Sequence, residues 1–71
     1  MPLGENIKRL RKLNNLTQQR LADQLNKSKT LIALWEKEER DPSSTDLKRM
    51  AEIFNVKLDE LLDTLPVFSH T

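Results

Sequence analysis

The 71-residue sequence contains no cysteine, so neither a disulfide framework nor a thiolate zinc site can staple the chain. Glycine is nearly absent: Gly4 stands alone, which excludes a glycine-rich loop that cradles phosphates. Aromatic residues are limited to Trp35, Phe54 and Phe68, too few to stack successive bases of single-stranded RNA. The one histidine, His70, lies beside the C-terminus, and no His/Cys/Asp group has metal-ligand spacing. Neither a metal, a cofactor nor an enzyme is expected. Apolar runs all fall short of the roughly 18 residues that a membrane helix needs. "MPLGENIKRL" also lacks the hydrophobic region of a secretory signal, so the expectation is a cytoplasmic protein with no membrane partner.

What the chain does have is helical periodicity on a small scale. At this length there is room for one domain at most, close to the limit at which a single core can sustain a fold. Hydrophobic residues make up 37% of the sequence, with Leu and Ile recurring at spacings of three and four. That pattern predicts a compact, all-α globule. Net charge is only +1, but it is unevenly spread. Residues 1–30 hold seven basic side chains against Glu5 and Asp23, a balance of +5; residues 31–71 hold five basic against nine acidic, or −4. The molecule is expected to have a basic and an acidic end.

Helix boundaries follow from caps and stripes. Leu3, Ile7, Leu10 and Leu13 outline a first helix over 3–13, ended by Asn14 and Asn15, which tolerate the left-handed conformation. Thr17 is the N-cap of a second helix that buries Leu21, Ala22 and Leu25, with Leu16 placed to staple onto it. Ser28 caps a third, from Lys29 to about Lys37. Ser43, three residues before Asp46, resembles a capping box for a helix over 44–54 that buries Leu47, Met50, Ala51 and Phe54. A last helix over 58–64 offers Leu58, Leu61 and Leu62 and is stopped by Pro66. The domain is expected to span 1–65, with a tail over 66–71.

Two short helices joined by two or three residues provide the setting of a helix-turn-helix. "LTQQRLADQL", then "SKTLIALWE", then "DPSSTDLKRMAEIFNVKLDELL" together resemble the lambda-repressor-like, Xre/Cro-type helix-turn-helix domains. The likeness runs from about Ile7 to Leu62 and rests on Thr17-Gln18, Leu21-Ala22, Trp35-Glu36, Pro42-Ser43 and Leu58-Asp59-Glu60-Leu61-Leu62. It implies a five-helix DNA-binding fold and a sequence-specific regulator, a bacterial or phage repressor. That regulator would bind double-stranded DNA as a homodimer.

By this resemblance Gln18 bonds a DNA phosphate, with Ser28, Lys27 and Arg40 as further backbone contacts. Lys29, Thr30 and Leu34 fall where such domains present side chains to base edges in the major groove. Arg11 and Glu36 match a structural ion pair. The chain departs from its relatives at three places. Lys37-Glu38-Glu39-Arg40-Asp41 stands where an Asn-Gly turn with basic residues is common, Asn26 replaces a turn glycine, and Lys27 replaces a small apolar residue.

Helix 3 raises a second possibility. Stepped at 100° per residue, Ile32 and Trp35 point inward, Thr30, Ala33 and Leu34 outward, and Leu31 to the flank. An apolar outward face beside acidic groups suits a protein partner as well as DNA. The alternative is therefore an antirepressor or modulator that binds another repressor through Leu31, Ala33, Leu34, Glu38 and Glu39.

Overall fold

A computed structural model of the chain describes residues 2–62. Over that span there are five helices and, among the described residues, no strand. They are α1 (Leu3–Leu13), α2 (Gln18–Leu25), α3 (Lys29–Glu36), α4 (Ser44–Phe54) and α5 (Leu58–Leu62). The expected end of the last helix at residue 64, the domain boundary at residue 65, the stop at Pro66 and the tail over 66–71 lie outside the described residues.

Three of the five helices, α2, α3 and α4, start where a short polar side chain satisfies a backbone donor. Thr17 Oγ1 accepts from the Arg20 amide at 3.0 Å, Ser28 Oγ from Leu31 at 3.1 Å, and Ser43 Oγ from Asp46 at 3.1 Å. At the start of α5 the Lys57 amide donates to Glu60 Oε1 at 2.8 Å. The ends are solved in a way that suits a glycine-poor chain: Asn15, Asn26 and Asn55 take φ of 59°, 59° and 58°, the left-handed turn that glycine usually provides. Helix 3 stops one residue short of the expected Lys37, which serves as its C-cap.

Burial follows the stripes with few exceptions. Ile7 and Leu10 of α1 and Leu21, Ala22 and Leu25 of α2 belong to one buried cluster. Ile32 and Trp35 of α3, Met50, Ala51 and Phe54 of α4, and Leu61 of α5 complete the core. Leu16 and Leu47 are half-buried against it, as are Leu31 and Leu58. Leu13 departs from the expected stripe, being 67% exposed. It is rotated about 120° from Ile7 on a helix of 3.6 residues per turn, enough to leave the buried arc. Leu62 is also exposed.

The architecture places α3 against both α1 and α2, while α5 spans α1 and α4. Two polar contacts reinforce this order. Asn6, buried on α1, donates from Nδ2 to the Leu61 carbonyl at 3.1 Å, and Arg49 Nη2 reaches the Gln24 carbonyl at 3.2 Å. Every buried side-chain polar atom among the described residues has a partner.

Gly4 marks a close approach of α1 to the end of α3. A Cβ added there would lie 2.5 Å from the Glu36 carbonyl oxygen and 2.7 Å from that of Trp35, both backbone atoms that cannot swing aside. Alanine favours a helix over glycine by about 1 kcal/mol, yet overpacking against backbone costs about 1–3 kcal/mol. Gly4→Ala should therefore lower unfolding stability by a net of up to about 2 kcal/mol, read from urea denaturation. A stabilised variant would show that α1 and α3 do not meet this closely.

Candidate nucleic-acid interface

Helix α3 is held from behind by the carboxylate of its last residue. Glu36 is the last residue of α3, where the helix dipole disfavours negative charge, so it needs compensation. Arg11 of α1 supplies it: Nε donates to Oε2 at 2.7 Å and Nη2 to Oε1 at 3.3 Å. The two side chains are only 9% and 5% exposed. Arg11 also donates from Nη1 to the Leu16 carbonyl at 2.7 Å, which fixes the turn into α2. Gln18, the first residue of α2, donates from Nε2 to Glu36 Oε1 at 3.1 Å. Three helices thus converge on one side chain.

This arrangement sets which way α3 faces. Ile32 and Trp35 are buried, Lys29 and Thr30 are exposed, and Ala33 and Leu34 are half-buried. Leu31 packs on the core, as its flank position implies. Leu34 lies outside the core cluster. Thr30 and Leu34 therefore share the side of α3 turned away from the protein interior, and the exposed Lys29 stands at its edge in the first turn.

Charge around the helix starts is divided in a consistent way. Helices α1, α4 and α5 carry acids in their first turns: Glu5; Asp46; Asp59 and Glu60. Helices α2 and α3 carry none. Their first turns instead hold Arg20 and Lys29, both exposed, which adds positive charge to the positive end of each dipole. Such an end is suited to an anion.

The remaining candidate residues are placed less simply. Lys27, in the turn between α2 and α3, has its Nζ 3.6 Å from Asp46 Oδ1 on α4, so its charge is shared with an internal partner. Ser28 is exposed, but its hydroxyl accepts the Leu31 amide as a cap. Gln18 is half-buried with its amide directed to Glu36, so it is not a free first-turn side chain. Glu39 and Arg40 are exposed in the segment after α3. Glu38 is engaged: its carboxylate accepts a hydrogen bond from the Gly4 amide at the start of α1. Sequence reasoning did not single out Asn6, Gly4 or this use of Glu38. The one available signal was the lone glycine itself. Among the described residues no group of His, Cys, Asp and Glu is placed to hold a metal ion, and no helix is long and apolar enough to cross a membrane.

The sequence model of the helix-turn-helix family matches residues 7–61. The transcriptional activator BcrR of Enterococcus faecalis is 42% identical over 62 residues, covering 87% of this chain and 30% of that protein. The transcriptional regulator ImmR of Bacillus subtilis is 32% identical over 62 residues, covering 87% and 49%. The chain thus spans half or less of the length of these two curated relatives. Among solved structures, the P22 c2 repressor protein in complex with a synthetic operator superposes with a TM-score of 0.82 at 27% identity. The match covers 89% of this chain and 96% of that one.

The pair at the centre of the site makes a direct prediction. Removing one partner leaves a charge stranded in a nearly buried place, so Arg11→Ala or Glu36→Leu alone should cost about 3–5 kcal/mol of stability. Arg11→Met combined with Glu36→Leu should recover a large part of that loss, because no unpaired charge remains. Guanidinium denaturation of the three variants tests this. Additive losses in the double variant would contradict it.

Proposed function

The chain belongs to the helix-turn-helix family, in its lambda-repressor-like form, and on that premise we propose that it is a DNA-binding transcriptional regulator that reads the major groove with α3. The observation that carries this reading is the pair of acid-free, basic helix starts at α2 and α3, joined to an outward face made of Thr30 and Leu34 with Lys29 at its edge. Phosphates at the two helix starts position the protein. Side chains on α3 then read base edges.

The roles follow from chemistry. Lys29 donates to guanine O6 or N7, Thr30 makes a single hydrogen bond, and Leu34 packs on a thymine methyl. Gln18 has two amide hydrogens, of which one is given to Glu36, leaving the other for a phosphate. Ser28, Lys27 and Arg40 add backbone contacts, with Lys27 exchanging Asp46 for a phosphate. One such domain touches few base pairs, so a homodimer on half-sites about one helical turn apart supplies the required specificity. The domain occurs in a relative named an activator and in a neighbour named a repressor. Repression requires only occupancy of an operator, and it is the action we assign. The cytoplasm is the matching compartment.

Docking onto a partner repressor is not favoured. Of the five side chains assigned to that surface, Leu31 is used by the core and Glu38 by the start of α1. Too little of the apolar and acidic patch is left.

An unbiased DNA selection with the purified chain at two salt concentrations tests the proposal. An enriched two-fold motif whose affinity falls steeply with salt is expected, and no enrichment at either salt concentration would overturn the reading. Within the same assay, Lys29→Ala and Thr30→Ala should each relax one base position by about 1–3 kcal/mol with little change in stability. Leu34→Lys should tighten binding and steepen the salt slope by about one unit.

A further inference from the structure

Four residues other than glycine adopt positive φ among the described residues, and one is unlike the rest. Asn15, Asn26 and Asn55 have side chains that tolerate the left-handed region. Glu38, at φ 65°, does not belong to that group. It stands at the second position after α3, where glycine avoids the Cβ penalty. A long acidic side chain is an unfavourable choice for this turn unless its carboxylate contributes something.

The contribution is visible at the start of α1. Pro2 precedes that helix and gives it no side-chain cap, so its first amides lack a local acceptor. Glu38 Oε2 accepts from the Gly4 amide, across 34 positions of sequence. Negative charge at a helix start is also favoured by the dipole. Gly4 allows the contact, because a Cβ there would lie 2.7 Å from the same carboxylate oxygen.

The C-terminal end of α3 is consequently tied to α1 twice: Glu36 holds Arg11, and Glu38 holds Gly4. Those two anchor residues are seven positions apart, about 10 Å along the axis of α1. A single anchor is a pivot, whereas two anchors fix a direction. We propose that Glu38 is a positioning residue: by capping α1 from the turn after α3, it sets the tilt of α3 on α1. The consequence for DNA, that this tilt sets the angle at which Lys29, Thr30 and Leu34 meet base pairs, rests on the function proposed above. The clamp itself does not.

The test compares Glu38→Gly, which removes both the strain and the cap, with Glu38→Gln, which keeps an acceptor oxygen without charge. Amide exchange at Gly4 and the angle between α1 and α3, from residual dipolar couplings, are measured by NMR on the free full chain. In Glu38→Gly, exchange at Gly4 should speed up by about fivefold, the factor a typical helix cap represents, and the angle should change. The melting temperature should stay near that of the parent, since relief of strain offsets the lost cap. The DNA selection should show a flatter base preference with a nearly unchanged salt slope. Glu38→Gln should fall between parent and Glu38→Gly. Unchanged exchange and angle in Glu38→Gly would overturn the proposal, as would uniformly tighter binding with the same base preference, the signature of an acid that merely repels phosphates. If the parent selects no sequence, the DNA reading fails alone, and the two NMR readouts still decide the clamp.

Discussion

The carboxylate of Glu36 is the constraint on which the arrangement of the helix-turn-helix depends. It sits at the unfavourable end of α3 and is held there by Arg11 and Gln18, so the end of that helix cannot shift without disturbing α1 and α2. The pair is nearly buried, and such pairs contribute little net stability compared with apolar packing. Its effect is directional. A core of Ile32, Trp35 and Leu21 could accommodate several rotations of α3, but a bidentate guanidinium bond to a fixed carboxylate admits very few.

The ends of the helices show how a chain with one glycine manages the five helices of its described residues. Asparagine takes the left-handed turn after α1, α2 and α4, and threonine or serine caps the starts of α2, α3 and α4. These are local devices, and they made the element boundaries legible in the sequence: caps and 3.6-residue periodicity depend only on near neighbours. The same holds for the inward positions of α3, since Ile32 and Trp35 follow from 100° steps. Leu13 was misplaced because a stripe read from one helix does not reveal how wide an arc its neighbours cover. The resemblance carried the rest of the fold.

The candidate site was only partly legible. Residue types on the outward face could be named from α3 alone, but the use made of each charge depends on docking between distant segments. Glu38 reaches Gly4 over 34 positions and Asn6 reaches Leu61 over 55, separations at which no periodicity operates. From its position after α3, Glu38 is expected on a docking surface. The structure gives it an internal acceptor role instead. Lys27, expected at a phosphate, is exposed and shares its charge with Asp46. Charge counts along a sequence therefore overstate what a surface offers to a partner.

The central claim is that the Glu36 joint couples the start of α2, proposed to meet a phosphate, to the outward face of α3, proposed to read base edges. The most direct measurement is a double-mutant cycle of Gln18→Ala and Glu36→Gln, read as affinity for a selected duplex well below the unfolding temperature of every variant. The account predicts strongly non-additive losses, with a coupling on the order of 0.5–3 kcal/mol, because Gln18 depends on Glu36 for its orientation. Additive losses within about 0.3 kcal/mol would show that the two act independently, and the joint would then be a stability feature without a part in reading DNA.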